Sequence, residues 1–236
     1  MRTTRRSRVP WHGLLIGVQC IVCALTACGG YSISDNTVIF KDCSENGCTT
    51  STLKEADAKS FESLQGGYAK DRHRVYLSGA AIPEADPQSF KVLSDIYAKD
   101  KARAYYKNTP IVGADSGSFV ALNDLNYGRD KNDIYIMGRA IGACDLASFR
   151  WLKEDWHVDN KCAYRGGTKL PNAHPESFVV INDEYAKDAE HVYSAHTDRA
   201  IEGVDLATFK PDGMCMCGRD KNRCYDGAQP APCGLH

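Results

Sequence analysis

The chain alternates short runs of aromatic and β-forming residues with a polar turn, and this pattern recurs at a regular spacing. One copy reads YAKDKARAYY, from Tyr97 to Tyr106. A polar turn between two such runs predicts a β-hairpin. The turn aspartates of six copies lie 29 to 32 residues apart: Asp71, Asp100, Asp130, Asp159, Asp188 and Asp220. A period in this range predicts a tandem array, in which each unit buries its apolar face against its neighbours.

Two aromatic positions accompany the turns. One aromatic follows each turn aspartate by five residues, at Tyr76, Tyr105, Tyr135, Tyr164, Tyr193 and Tyr225. A second precedes the aspartate by three residues in five copies, at Tyr68, Tyr97, Tyr127, Trp156 and Tyr185. Asp35, which is followed by Phe40, indicates a degenerate seventh copy.

The segment between two hairpins has its own repeated pattern, as in DPQSF from Asp86 to Phe90. An aspartate with serine or threonine three residues later predicts a one-turn helix, because the carboxylate accepts bonds from the free N–H groups at the helix start. His174 replaces the aspartate in one copy and should cap weakly. The phenylalanines that end these segments are Phe61, Phe90, Phe119, Phe149, Phe178 and Phe209. Leucine or isoleucine follows three residues later in five copies, at Leu64, Leu93, Leu122, Leu152 and Ile181.

One unit therefore reads as strand, turn, strand, tight bend, short apolar strand and capped helical turn. The bends fall at Gly79, Asn108, Gly138 and Gly167, residue types that tolerate positive φ. We expect an all-β protein of tandem β-hairpin repeats of about 29 residues, stacked as an elongated array or solenoid. A propeller is the less favoured alternative, since its four-stranded blades usually need about 40 residues.

The N-terminus has the features of an export signal. A basic start, MRTTRRSR, precedes an apolar run from Gly13 to Ala27 that is too short to span a bilayer. The run ends in LTAC, which resembles the lipobox of bacterial lipoproteins. That resemblance implies cleavage before Cys28 and lipid on Cys28. A plain secretory signal, with Cys28 in a disulfide, is the alternative.

The cysteine count agrees with export. Two of the eleven cysteines lie in the signal and Cys28 takes lipid, which leaves an even number for disulfides in an exported chain. The spacing suggests that Cys43 pairs with Cys48 within one loop and that Cys144 pairs with Cys162 between neighbouring units. The other four cysteines are Cys215, Cys217, Cys224 and Cys233.

The C-terminal cysteine cluster leaves several arrangements open. Cys217 with Cys224 and Cys215 with Cys233 is one pairing, and four cysteines permit three. Zinc bound by these thiols and His236 is a competing interpretation. We favour disulfides, because the CxC start lacks the usual spacing of a zinc knuckle. No metal or other cofactor is therefore expected.

Charge and motifs exclude some functions and support no catalytic one. The first 27 residues hold four arginines and no acid, so the rest of the chain is net acidic, which disfavours nucleic-acid binding. HExxH, GxSxG, Walker A and GxGxxG motifs are absent from the sequence. The seven histidines fall at unrelated repeat positions, and we interpret them as solvated loop residues. No catalytic residue is assigned.

The repeated segments resemble the DKNYY repeat family of mostly exported bacterial proteins. The resemblance rests on YAKDKARAYYKNTPIVGADSGSF and GRDKNDIYIMGRAIGACDLASF, and it covers roughly Asp35 to Tyr225. The units that begin at Trp156 and Cys217 depart most from the family pattern. The family brings no settled catalytic or binding residues, so it implies none here.

These observations predict a domain organisation and a location. Residues 1–27 form the signal peptide, 28–34 a short tether, 35–225 the repeat domain and 226–236 a C-terminal cap or tail. The protein should lie in the cell envelope, anchored to a membrane by its lipid. Gly29 after Cys28 favours the outer membrane if the host is Gram-negative.

Three functions are compatible with the sequence. The leading hypothesis is a non-enzymatic protein whose array binds a protein or glycan partner. Tyr68, Tyr97, Tyr127, Trp156 and Tyr185 are candidate binding aromatics, although such rungs are more often buried. The rival is an envelope-acting enzyme with acids such as Glu154, Asp155 and Asp183. It predicts that one unit breaks register to form a pocket, and the unit from Trp156 is the candidate. A purely structural spacer is the third.

Overall fold

The computed structural model describes residues 29–122, 126–212 and 217–233, and this part of the chain is almost entirely β-structure. A three-stranded antiparallel sheet comes first. Its strands are β1 Gly30–Ser34, β2 Thr37–Ser44 and β3 Gly47–Leu53, in the order β1-β2-β3. The β1–β2 turn at Asp35 and Asn36 has positive φ at both residues, as a two-residue type I′ hairpin requires. The degenerate first copy thus forms a hairpin at the predicted turn.

Six four-stranded antiparallel meanders follow in chain order, one per repeat. Their strands are β4 Glu62–Ser63, β5 Tyr68–Lys70, β6 Val75–Leu77 and β7 Ala80–Ala81; β8 Lys91–Val92, β9 Tyr97–Lys99, β10 Ala104–Tyr106 and β11 Thr109–Pro110; β12 Val120–Leu122, β13 Tyr127–Arg129, β14 Ile134–Ile136 and β15 Arg139–Ala140; β16 Arg150–Lys153, β17 Trp156–Val158, β18 Ala163–Arg165 and β19 Thr168–Lys169; β20 Val179–Val180, β21 Tyr185–Lys187, β22 Val192–Ser194 and β23 Arg199–Ala200; β24 Lys210–Asp212, β25 Cys217–Arg219, β26 Cys224–Asp226 and β27 Gln229–Ala231. The sequence did not predict the first strand of each meander, because it consists of only two to four residues directly after the phenylalanine.

The hydrophobic core lies at the junctions between successive sheets. At one junction Tyr68, Val75 and Ile82 of the second sheet contact Phe90 and Tyr105 of the third. Equivalent clusters join every other neighbouring pair of described sheets. The all-β tandem repeat array predicted from the period is therefore confirmed.

The segments predicted to be capped helical turns are mostly hydrogen-bonded turns. Two 3₁₀ turns are present in the described residues, Gln65–Gly67 and Pro175–Ser177. The second is the segment in which His174 replaces aspartate, and His174 makes no side-chain cap bond. The weak cap is confirmed. The predicted helical conformation is wrong for the other segments. In these five segments the hydroxyl of the serine or threonine three residues later donates to the aspartate. The predicted bond from a backbone N–H to the aspartate is present at Asp115 and Asp205.

The tight bends lie where the sequence placed them, and in each bend positive φ begins one residue before the predicted position. Ser78 and Gly79 both have positive φ, as do Met137 and Gly138. In the other two bends Lys107 and Gly166 have positive φ, and not Asn108 and Gly167. The glycine matters most at Gly138, where an added Cβ would approach the Cβ atom of Tyr106 to 2.6 Å.

Both predicted ends of the repeat domain need correction. Gly30–Ser34, assigned to a tether, forms β1 and pairs with β2 along its full length. Residues assigned to the tail form β27, which completes the last sheet. The signal segment 1–27 and Cys28 lie outside the described residues.

Disulfides close two loops as predicted and one differently. Cys43 bonds Cys48, and Cys144 bonds Cys162. Cys224 bonds Cys233, so the suggested pairing of Cys217 with Cys224 and Cys215 with Cys233 is wrong. β26 and β27 are adjacent strands, and this brings Cys233, two residues past β27, within 5.2 Å of Cys224 between their Cα atoms. Cys217 is also disulfide-bonded. These bonds indicate an oxidising environment, as expected for an exported chain.

Candidate functional site

The carboxylate oxygens of the turn aspartates accept hydrogen bonds from donors inside the protein. The Oδ1 atom of Asp100 accepts the backbone N–H groups of Ala102 and Arg103 at 2.7 Å. Its Oδ2 atom accepts the Tyr105 hydroxyl at 2.7 Å and the Asp86 backbone N–H at 3.0 Å. Each of these carboxylates therefore closes its own hairpin and ties that hairpin to the preceding turn. The same pattern of bonds recurs at Asp71, Asp130, Asp159, Asp188 and Asp220.

These bonds set the charge of the carboxylates and of their tyrosine partners. Desolvation acts to raise the pKa of Asp100, but the backbone and tyrosine donors outweigh it and hold that pKa below its usual value. The same balance lowers the pKa of Asp220 to about 2. Desolvation, followed by the bond to Asp100, raises the pKa of the Tyr105 hydroxyl. The pairs are ionised carboxylate and neutral phenol at neutral pH, which is a structural arrangement and not a pair poised for proton transfer.

The aromatic ladders lie inside the junctions. Phe119 is fully buried, with its ring centroid 5.5 Å from those of Tyr97 and Tyr135. The Tyr97 hydroxyl donates to the backbone oxygen of Asn126 at 2.8 Å. The five candidate binding aromatics Tyr68, Tyr97, Tyr127, Trp156 and Tyr185 are all buried. Their interpretation as an exposed binding platform is wrong, because each ring fills the contact with the following unit.

One junction departs from this plan, between the fourth and fifth sheets. We call its polar and aromatic side chains the junction cluster: Tyr127, Trp151, Asp155, His157 and Arg165. At the other described junctions the ladder hydroxyl or indole N–H donates to a backbone oxygen of the next unit. The Tyr127 hydroxyl instead donates to Oδ1 of the Asp155 side chain at 3.1 Å and lies 3.2 Å from Nε2 of His157.

His157 is the most unusual member of the junction cluster. It is fully buried, and its Nδ1 atom has no hydrogen-bond partner in the described structure. Burial lowers the pKa of its imidazole to about 4, so the ring is neutral at neutral pH. The interpretation of all histidines as solvated loop residues is wrong here. The position of His157 between Trp156 and Val158, in a buried strand, was the sequence feature that could have indicated its burial.

Asp155 and Arg165 form the charged side of the junction cluster. Arg165 Nη1 donates to Oδ2 of Asp155 at 2.8 Å, and its guanidinium lies 5.3 Å from the centre of the Trp156 ring. Desolvation acts to raise the pKa of Asp155, but the bonds from Arg165 and Tyr127 outweigh it and hold that pKa below its usual value. Asp155 is therefore an ionised carboxylate that accepts hydrogen bonds.

The strand beside the junction cluster is bulged. The register of β16 against β17 shifts between Trp151 and Lys153, and no other described strand pair has such a shift. Trp151 and Leu152 are each 37% exposed. In four other units the residue at the position of Leu152 contacts a junction core instead. These residues are Leu64, Leu93, Leu122 and Ile181. The unit that the enzyme hypothesis named therefore contains a shift in strand register, whereas an apolar groove lies at another junction, between the third and fourth sheets.

The three acids named for the enzyme hypothesis do not share one arrangement. Asp155 belongs to the junction cluster, whereas Asp183 is paired with Lys153 at 2.6 Å. Glu154 is exposed and has a positive φ of 48°. The described residues contain no group of three or more histidine, cysteine or acidic side chains placed to hold a metal ion.

A second surface feature lies between the third and fourth sheets. A groove of about 510 Å³ is lined by Tyr106, Pro110, Val112 and Met137, with Arg139 at its rim. Val112 is 92% exposed and Met137 is 55% exposed. The groove is apolar and holds no cluster of ionisable groups that would suggest chemistry.

Fold and site together define a disulfide-containing tandem β-repeat protein in which the repeated polar residues have structural roles. The family comparison agrees with this class. The model of the DKNYY family matches residues 19–109, 68–197 and 97–229, three overlapping segments that reflect the repeats, and the chain belongs to this family. No curated protein and no solved structure shows significant similarity to the chain. In the described residues no helix is long and apolar enough to cross a membrane.

Proposed function

We propose that the protein is a non-enzymatic recognition scaffold of the bacterial cell envelope, held at a membrane by lipid on Cys28. Its repeat array presents a surface to an envelope protein or glycan. One observation supports this proposal. The residues shared by the repeats make contacts within the fold, whereas the residues that depart from the repeat lie together at one partly exposed junction. A spacer would have no need of such a departure.

The state of the acidic groups supports a non-enzymatic role. A general acid needs a pKa raised toward neutrality, whereas the pKa values of the turn aspartates and of Asp155 are lowered. Tyr127 is a poor nucleophile, since burial raises the pKa of its hydroxyl. The register break in the fifth unit is the observation that favours an enzyme. It equally suits a binding site, where bulges re-aim side chains.

The anchoring part of the proposal has a direct test. Intact-mass spectrometry of membrane-fraction protein should give a diacylglycerol or triacyl mass on the chain that begins at Cys28. The Cys28→Ser variant should lack that mass and leave the membrane fraction. An unlipidated mass for the unmodified chain would overturn the anchor. The difference in intact mass before and after reduction also gives the number of disulfide bonds.

The recognition part is tested by the outward aromatic of the junction cluster. A Trp151→Ala variant that remains folded should lose binding to isolated cell-envelope fragments, measured by co-sedimentation. Equal binding by both proteins would favour a spacer, whereas turnover of a component of the fragments would favour an enzyme.

A further inference from the structure

We propose that the bulge at Trp151 is a carbohydrate-binding subsite, in which the indole stacks on a neutral pyranose ring and Asp155 with Arg165 binds its hydroxyl groups. This inference rests on the proposed recognition function and names its ligand class. It follows from what differs between the fifth sheet and its siblings.

The first difference is a paired replacement across two strands. Trp151 lies directly opposite His157 in the β16–β17 pair. In every other meander the residue at the position of His157 is alanine or glycine, and it faces a smaller residue than tryptophan. Those pairs are Ser63–Ala69, Val92–Ala98, Ala121–Gly128, Val180–Ala186 and Pro211–Gly218. His157 therefore fills space beneath Trp151 that the other units leave to a methyl group or a hydrogen.

The second difference is a fixed but accessible indole. The Trp151 ring makes edge-on contacts with Tyr127 at 5.5 Å and Phe149 at 5.2 Å between ring centroids. These contacts restrict its rotamers, yet the side chain remains 37% exposed. A ring held in place before binding loses little conformational entropy when a ligand stacks on it. Aromatic side chains held in this way are typical anchors of binding sites.

The third observation concerns the charged side chains of this unit, which are paired with one another. Asp155 is paired with Arg165 at 2.8 Å, and Asp183 with Lys153 at 2.6 Å. Paired charges give the surface little net attraction for an ion. They still offer carboxylate acceptors and N–H donors at its edge, since the Asp155 side chain is 57% exposed. A sugar ring matches this chemistry, because it is neutral, has apolar C–H faces and carries hydroxyls that both donate and accept.

The buried imidazole has a supporting role in this subsite. His157 contacts the rings of Trp151 and Phe149 and lies 3.2 Å from the Tyr127 hydroxyl. That hydroxyl in turn bonds Asp155. His157 is thus a positioning residue for both the stacking ring and the carboxylate. The Nδ1 atom of His157 has no hydrogen-bond partner in the described structure, which makes this residue costly to the fold.

The test is isothermal titration calorimetry of the full chain with defined hexameric probes. The neutral probes are cellohexaose, maltohexaose and hexa-N-acetylchitohexaose. Hexalysine and hexagalacturonic acid serve as cationic and anionic probes. We expect at least one neutral hexasaccharide to bind, and Trp151→Ala to weaken it by about tenfold or more, as for a stacking anchor. Trp151→Phe should retain part of the affinity.

A matched control separates the subsite from general surface effects. Val179 is an exposed apolar residue on the first strand of the next sheet, so Val179→Ala should leave binding unchanged. Circular dichroism of each variant verifies the fold. No binding by any neutral probe, or equal binding by the Trp151→Ala variant, would overturn the subsite. Binding of hexalysine alone would do the same and indicate a cationic peptide ligand. None of these results bears on lipidation at Cys28, which the mass measurement tests separately.

Discussion

At the scale of single residues, the turn aspartate stabilises several parts of its unit at once. One carboxylate satisfies the N–H groups of its own turn, a buried tyrosine hydroxyl and the backbone of the preceding segment, as Asp100 does for Ala102, Tyr105 and Asp86. The sequence predicted the turn and the tyrosine at its spacing, because both recur with the period. It did not predict the bond between them, since that depends on how a strand folds back beside the preceding segment.

Replacement of Asp100 by alanine should therefore destabilise the protein strongly. Four donors lose their acceptor, and an unsatisfied buried polar group costs about 1–3 kcal/mol, so we expect a loss of at least about 3 kcal/mol. Urea denaturation measures the free energy of unfolding. The control is Asp42→Ala at an exposed position, which should change it by less than about 0.5 kcal/mol. A loss below about 1 kcal/mol for Asp100→Ala would contradict the network.

The same network predicts how stability depends on pH. A folded-state pKa below the unfolded value of about 3.9 means that the carboxylates contribute stability above that pH and lose it on acidification. The raised tyrosine pKa values, about 12 for Tyr97 and Tyr185, act in the opposite direction and remove stability above about pH 10. The melting temperature should be flat from about pH 7 to 9 and fall on both sides. The fall on the acid side begins near pH 6.5, the pKa of an unfolded histidine, because folding keeps the buried His157 neutral, and it continues as the carboxylates protonate. A melting temperature that rises below about pH 4 would contradict the assignment.

At the scale of elements, each junction is a fit between one phenylalanine and the strand beneath it. The position under the ring is alanine in the second and third sheets and glycine in the fourth, at Gly128. A Cβ added to Gly128 would collide with the tip of the Phe119 ring. Similar sequences therefore build junctions that differ in detail, and a period alone does not reveal which residue each can accept.

Gly128→Ala should destabilise the protein although alanine is the residue used in neighbouring units. The added methyl group overfills a closed core, which typically costs about 1–3 kcal/mol. Gly117→Ala is the control, because its added Cβ would meet only the Asp115 side chain at 3.4 Å. Thermal unfolding followed by circular dichroism compares the two. Equal melting temperatures would mean that the junction between the third and fourth sheets has room for the added methyl group.

At the scale of the whole molecule, an internal repeat makes the fold predictable and the function hard to find. The period predicted the hairpins and the junction cores, because those depend on residues that recur, and the repeated motifs carried the resemblance to the family. The sequence also indicated the divergent unit from Trp156. It did not reveal that Trp151, His157 and Arg165 meet Asp155 and Tyr127, because these residues come from four strands and a turn of two neighbouring sheets.

This division between shared and divergent residues is the central claim, and a comparison of two aromatic deletions tests it most directly. The measurement is the urea-derived free energy of unfolding of Phe119→Ala and Trp151→Ala, two aromatics in successive units. Phe119→Ala should lose about 3–5 kcal/mol, since the ring is fully buried between Tyr97 and Tyr135. Trp151→Ala should lose less than about 1.5 kcal/mol, because its indole is partly exposed and serves a ligand. A loss below about 1 kcal/mol for Phe119→Ala, or equal losses for both variants, would contradict the account.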